Sequence, residues 1–195
     1  MKTGKSPDHE IVTLQKEIRE KKKKLAELVR TRSREEVEDY RLEGPDGAII
    51  TLSGLFGDHD ELILIHNMGR KCAYCTLWAD GFNGFLQHLE NRAGFAVVSP
   101  DDPETQRKFA AGRGWKFSIY SGRGSSFTRD MGFQDDDGQY HPGFSTFIKE
   151  GGKIYRVAAD SFGPFDDYCG IWHLFNLLPR GVNDWHPKFE YELTS

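Results

Sequence analysis

The sequence predicts an α/β fold in which a mixed sheet is sandwiched between helices in three layers, and three observations predict it. Glu61-Leu-Ile-Leu-Ile-His66 is a short apolar, β-branched run of the kind that forms a buried strand. After it Leu77, Trp78, Phe82, Phe85, Leu86 and Leu89 recur at helical spacing, and Phe95-Ala-Val-Val-Ser99 then gives a second core strand. Further on, Gly143–Lys149 and Lys153–Ala158 flank Glu150-Gly-Gly152 as an antiparallel hairpin. A strand-helix-strand unit followed by a hairpin requires parallel and antiparallel pairs in one sheet.

The remaining elements follow from start and stop signals. Asp8 to about Arg34 reads as one long helix, with Asp8 as N-cap and Glu10 in its first turn. Ile11, Leu14, Ile18, Leu25 and Leu28 mark a heptad stripe, interrupted by Lys21 and Lys22, that suits packing on the domain or pairing with a second copy. Tyr40–Leu42 and Ala48–Leu52 flank the turn signal Glu43-Gly-Pro-Asp-Gly47, giving an N-terminal β-hairpin. Asp102 and Pro103 open a helix that ends near Gly112-Arg-Gly114. Trp115–Tyr120 reads as extended, and Gly122–Gly132 as loop. Asp166 or Asp167 is expected to cap a last helix running to Leu178, stopped by Pro179 and Gly181. The chain thus divides into a helical extension over 1–36, a core domain over 37–180 and a tail over 181–195.

The chemistry concentrates at Cys72-Ala-Tyr-Cys75, where the first strand gives way to its helix. Cys-x-x-Cys at that junction is the arrangement of thioredoxin-like redox proteins. A helix N-terminus offers unpaired N–H groups and a partial positive charge that stabilise a thiolate, and Arg70 and Lys71 add cations just upstream. The spacing lets one sulfur resolve a mixed disulfide formed at the other, so Cys72 is expected to attack and Cys75 to resolve. The element order is the thioredoxin plan, with the extra hairpin of its peroxiredoxin-like relatives. That plan places a cis-proline before the strand facing the cysteines, and Pro142 is either that proline or simply the turn before the strand. His66 closes the strand beside the loop and is a candidate to tune Cys72 or relay a proton. Tyr74 is a candidate substrate contact, and Trp78 either lines the groove or belongs to the core.

Val37-Glu-Asp-Tyr40, Gly44-Pro-Asp-Gly47, Leu52-Ser-Gly-Leu-Phe56, Cys75-Thr-Leu-Trp-Ala-Asp80 with Phe82-Asn-Gly84, Gly114-Trp-Lys-Phe117 and Asp130-Met-Gly132 together resemble the domain-of-unknown-function 899 family. The resemblance spans roughly Glu35 to Arg180. It implies a thioredoxin-like fold and a dithiol-disulfide oxidoreductase, with Cys72 and Cys75 as redox center and Trp78 and Asp80 as recurring residues one turn on. Two departures stand out: the segment before the first cysteine is shorter than in many members, and Ala73 stands where many carry proline.

Rival readings use the same residues. Cys72, Cys75, Cys169 and His173 form a Cys₃His set that zinc accepts, so the alternative is a non-catalytic binding scaffold whose cysteines either clamp zinc or stay idle. A peroxidase of the Pro-x-x-x-Thr-x-x-Cys type needs threonine three residues before its cysteine, but Gly69 and Cys72 occupy those places, with Arg70 or Arg129 left to supply a cation. Asp135-Asp-Asp-Gly138 lacks the rest of a calcium loop, and Gly122-Arg-Gly-Ser-Ser126 lacks the Lys-Ser/Thr ending of a phosphate loop.

The chain's 195 residues carry a net charge of −4, giving no general attraction to nucleic acid or anionic membrane. No run has transmembrane length, and the polar N-terminus lacks a signal peptide's apolar segment, so a cytoplasmic location is expected. Three cysteines there do not make a disulfide framework. The expected partners are a protein or low-molecular-weight disulfide and a cellular reductant, with no bound cofactor.

Overall fold

Helix α1 (Pro7–Thr31) leads into strand β1 (Glu35–Val37), then β2 (Arg41–Glu43) and β3 (Ile49–Thr51), and a 3-10 turn over Leu52–Phe56. The central run is β4 (Glu61–His66), α2 (Ala73–Arg92), β5 (Gly94–Ser99), α3 (Pro103–Arg113) and β6 (Ile119–Ser121). A one-turn helix α4 (Phe127–Asp130), β7 (Gly143–Glu150), β8 (Lys153–Ser161) and α5 (Gly170–Phe175) complete the chain. This computed structural model describes residues 7–192; the first residues of the polar N-terminus and the last three of the tail lie outside the described residues.

All eight strands join one mixed sheet in the order β1-β8-β7-β4-β5-β6-β2-β3. β4, β5 and β6 are parallel, as their helical crossovers require, and the other neighbours are antiparallel. Alternation along β4 and β5 divides the core between the two faces. Leu62, Leu64, Ala96 and Val98 pack with Phe56, Phe127, Phe133 and Phe147 on one face. Ile65, Phe95 and Val97 pack on the other with Trp78, Ala79 and Leu86 of α2 and with Trp172 of α5.

Several elements form as their residues predict. β4 keeps the predicted bounds, α2 carries every residue read at helical spacing from Leu77 to Leu89, and the hairpin around Gly44–Gly47 forms at the sheet edge. Asp102 caps α3, its Oδ1 accepting from Thr105 N at 2.9 Å, and Gly114 ends that helix in the left-handed region at φ 68°.

Others differ for physical reasons. Glu35-Glu-Val37 forms an extra edge strand. Its charges meet cross-strand cations, Glu36 with Lys153 at 2.8 Å and Glu35 with Arg156 at 2.7 Å. The Gly122–Gly132 loop contains α4, anchored by fully buried Phe127. Of the run Trp115–Tyr120 read as extended, only the part within β6 (Ile119–Ser121) pairs in the sheet, and the indole Nε1 of Trp115 donates to Asp80 Oδ1 at 2.7 Å. The last helix is only Gly170–Phe175. Asp166 folds back as a turn, its carboxylate accepting from the N–H groups of Gly163, Tyr168 and Cys169, so it caps no helix. No helix among the described residues is long and apolar enough to cross a membrane.

Candidate functional site

The loop from β4 to α2 is fixed by short-range polar contacts. Asn67 N donates to Val98 O at 2.8 Å, extending the β4–β5 pairing by one residue, and Asn67 Oδ1 accepts from Gly69 N at 2.7 Å. Gly69 turns at φ 94°, a conformation open to glycine, with Asp101 so close that a Cβ would lie 2.8 Å from its Oδ2. That carboxylate also accepts from Arg70 N at 2.7 Å, tying the loop to the segment entering α3.

Cys72 then takes the N-cap position of α2. It is extended (φ −96°, ψ 105°), and its Sγ accepts from Cys75 N at 3.0 Å. Its carbonyl receives both Thr76 N and Thr76 Oγ1, each at 3.0 Å. The cap contact normally made by a serine or aspartate oxygen is made here by sulfur, a geometry that favours the anionic form.

The two thiols diverge in acidity. Cys72, half-buried, is lowered from 9.0 to about 7, chiefly by a hydrogen bond from the Cys75 thiol and further by the backbone N–H groups of Cys75 and Tyr74, against an opposing effect of burial. Cys75, only 3% exposed, is pushed up by donating to Cys72, by burial and by the charge on Cys72. All three cysteines are free thiols. The pair can hold one accessible thiolate and keep one shielded thiol in reserve.

Other sequence candidates fall elsewhere. His66 projects to the opposite face from α2. It is 2% exposed, stacked on Phe133 at 3.9 Å between ring centroids, with Nε2 on Ser145 Oγ at 3.0 Å. Burial, helped by Arg156, lowers it to about 3, so it is a neutral core group with no contact to the thiols. Arg70 and Lys71 are exposed, and neither contributes to the lowering of Cys72; the helix-start N–H groups and Cys75 supply it. Trp78 is a core residue, 3% exposed and stacked on Phe162.

Pro142 directly precedes β7, and Gly143 pairs with His66, so the proline stands level with the start of the cysteine loop. It is trans, since the described residues contain no cis peptide bond, so of its two readings the turn before the strand holds and the cis-proline does not. The zinc set is not assembled either. Cys169 is buried among Trp78, Phe162 and Trp172, while His173 is exposed and faces Asp167 at 3.4 Å. Among the described residues no three His, Cys, Asp or Glu side chains converge as a metal set. Arg129 is exposed on α4, which covers the face opposite the cysteines.

Tyr74 is not a free surface ring. It is half-buried, and its hydroxyl meets His186 Nδ1 at 2.8 Å, so the tail folds back to the residue between the cysteines. Trp172 and Trp185 extend this aromatic contact. Asp80, one turn beyond Cys75 on α2, holds the same side of the molecule together. It accepts from Trp115 Nε1 at 2.7 Å and pairs with Arg113, whose Nη1 donates to Phe189 O at 2.6 Å. The roles of His186 and Asp101 carry no local sequence signal, since each acts across a long chain separation.

Solved structures share this architecture. A peroxidoxin, BcpB, from Mycobacterium tuberculosis matches with a TM-score of 0.54 at 22% identity, covering 66% of this chain and 84% of that one. A cysteine-to-serine mutant of PrxQ from Xylella fastidiosa matches with a TM-score of 0.55 at 17% identity, covering 72% and 91%. An uncharacterized thioredoxin-like protein from Porphyromonas gingivalis matches with a TM-score of 0.52 at 16% identity, covering 69% and 86%. At these identities the likeness shows the fold alone, which is thioredoxin-like. No curated protein matches the chain in sequence. The family described as a bacterial protein of unknown function, DUF899, matches residues 6–192, and the chain belongs to that family.

Proposed function

We propose that the protein is a thiol–disulfide oxidoreductase in which Cys72 attacks and Cys75 resolves. The observation that carries this reading is geometric: Cys72 Sγ caps the start of α2, accepting from Cys75 N at 3.0 Å, with Cys75 buried one turn behind it, an arrangement that lowers the Cys72 thiol and raises that of Cys75.

The Cys72 thiolate attacks one sulfur of a substrate disulfide. That S–S bond breaks, a Cys72–substrate disulfide forms, and the departing thiolate takes up a proton. Cys75 then loses its proton and attacks Cys72 Sγ, releasing the second substrate thiol and leaving a Cys72–Cys75 disulfide. The substrate gains two electrons and two protons, and the pair is restored by a dithiol or a low-molecular-weight thiol that supplies the same. No bound cofactor enters these steps.

The test is reduction of a protein disulfide and of a small aromatic disulfide by the dithiothreitol-recycled protein. Cys72→Ser is expected to abolish turnover, and Cys75→Ser to accumulate the mixed disulfide at Cys72, visible as an adduct mass. Equal activity of wild type and Cys72→Ser would overturn the reading. A hydroperoxide is the control substrate, given the fold shared with a peroxidoxin; the absence of a threonine three residues before Cys72 argues for the disulfide.

A further inference from the structure

Helix α1 spans 25 residues and buries none of them. Its heptad stripe, Ile11, Leu14, Ile18, Leu25 and Leu28, is 49–61% exposed throughout. An amphipathic helix in water owes most of its stability to burial of its apolar face, and this chain does not cover that face. The helix meets the body on an adjacent face instead. Val29 is half-buried, Lys22 Nζ reaches Asp167 Oδ1 at 2.7 Å, and Arg32 Nε donates to Val157 O at 3.0 Å. With Ile11, Ile18 and Leu25 at heptad position a and Leu14, Lys21 and Leu28 at d, the body takes the e side and leaves a, d and g to solvent.

We infer that this stripe pairs with α1 of a second copy, antiparallel. The charge pattern selects both the occupant and its direction. Asp8, Glu10 and Glu17 outweigh Lys16 and Arg19 in the first half of the helix, and Lys21–Lys24 with Arg30 outweigh Glu20 and Glu27 in the second. An antiparallel pair lays each acidic half along a basic half, whereas a parallel pair sets the lysine run beside its own copy and places Lys21 against Lys21 across the seam. In the antiparallel register Ile11 meets the partner's Leu28, Leu14 meets the partner's Leu25, and Ile18 takes the aliphatic stem of the partner's Lys21. Glu17 then faces the partner's Lys24 twice across the two-fold axis. The parallel register would instead pair Glu17 with the partner's Lys22, a side chain already engaged by Asp167.

Sedimentation velocity on the full-length reduced protein over micromolar concentrations tests this. The mass is expected to rise from 22.3 kDa towards twice that value. Ile18→Glu with Leu25→Glu holds it at the monomer mass with unchanged thiol titration. Glu17→Lys is expected to weaken association at least tenfold, and adding Lys24→Glu in the same chain to restore it, which only the antiparallel register permits. A monomeric wild type at every concentration overturns the inference, as does an associating Ile18→Glu/Leu25→Glu variant. Failure of Lys24→Glu to rescue overturns the antiparallel register.

Discussion

The sulfur of Cys72 accepts the backbone N–H of Cys75 at 3.0 Å, so one cysteine caps the helix that begins with the other's turn. That relationship makes the acidity of Cys72 depend on Cys75 and on the helix start rather than on the nearby cations.

Thiolate formation at Cys72 is therefore expected to have its midpoint near pH 7. Cys75→Ala removes the thiol donor but keeps the N–H, moving the midpoint up towards 9.0 and cutting the thiolate fraction at pH 7 by about fivefold or more. Arg70→Ala and Lys71→Ala leave it close to 7. The pH dependence of alkylation, with the alkylated residue identified by mass, checks all three.

His66 gives the protein an acid limit. Its ring is neutral when folded, with its pKa lowered from 6.5 to about 3, and an unfolded chain takes up the proton at the higher value. Folding stability is unaffected by this group above pH 6.5 and falls below it, by up to about 1.4 kcal/mol per pH unit, until about pH 3. His66→Gln costs stability at pH 7, and its deficit relative to wild type shrinks as the pH falls. Urea unfolding at several pH values reads that convergence.

Tyr74→Phe and His186→Ala each remove the 2.8 Å contact that returns the tail to the cysteine turn. Each is expected to cost about 0.5–1.5 kcal/mol, with a double variant costing less than the sum. Limited proteolysis should open the tail near residue 186 in both. A tail equally protected in both variants would contradict the contact.

Asp80→Ala strips the acceptor from Trp115 Nε1 and the counter-charge from Arg113. The expected loss is about 1–2 kcal/mol, discounted because both charged groups are partly exposed, and chemical denaturation measures it. Asp80→Asn keeps one acceptor oxygen and recovers part of it.

The parts of the fold with strong local signals were legible. The alternation of Glu61–His66, the helical spacing after Cys75 and the Asp102-Pro103 start each name their element, because the forces that form them act within a few residues. Glu35-Glu-Val37 was not legible as a strand, since it is held by Lys153 and Arg156, far along the chain. The last helix was overextended because Asp166, a good cap by composition, satisfies three N–H groups of a turn instead. At the site, the cysteine pair and its helix start were readable from spacing. His66 was misplaced by the two-residue alternation of its strand, which turns it to the face away from the thiols. His186 was invisible because nothing near it in sequence points to Tyr74.

Whether Cys72 and Cys75 work as a redox pair is decided by the reduction potential of the couple. Purified protein is equilibrated in graded thiol/disulfide buffers and its free thiols are trapped and assigned by mass. A reversible two-electron transition confined to Cys72 and Cys75 is expected, at about −120 to −270 mV, with Cys169 reduced throughout. A pair that stays reduced across the whole range, or oxidises only through Cys169, would contradict it.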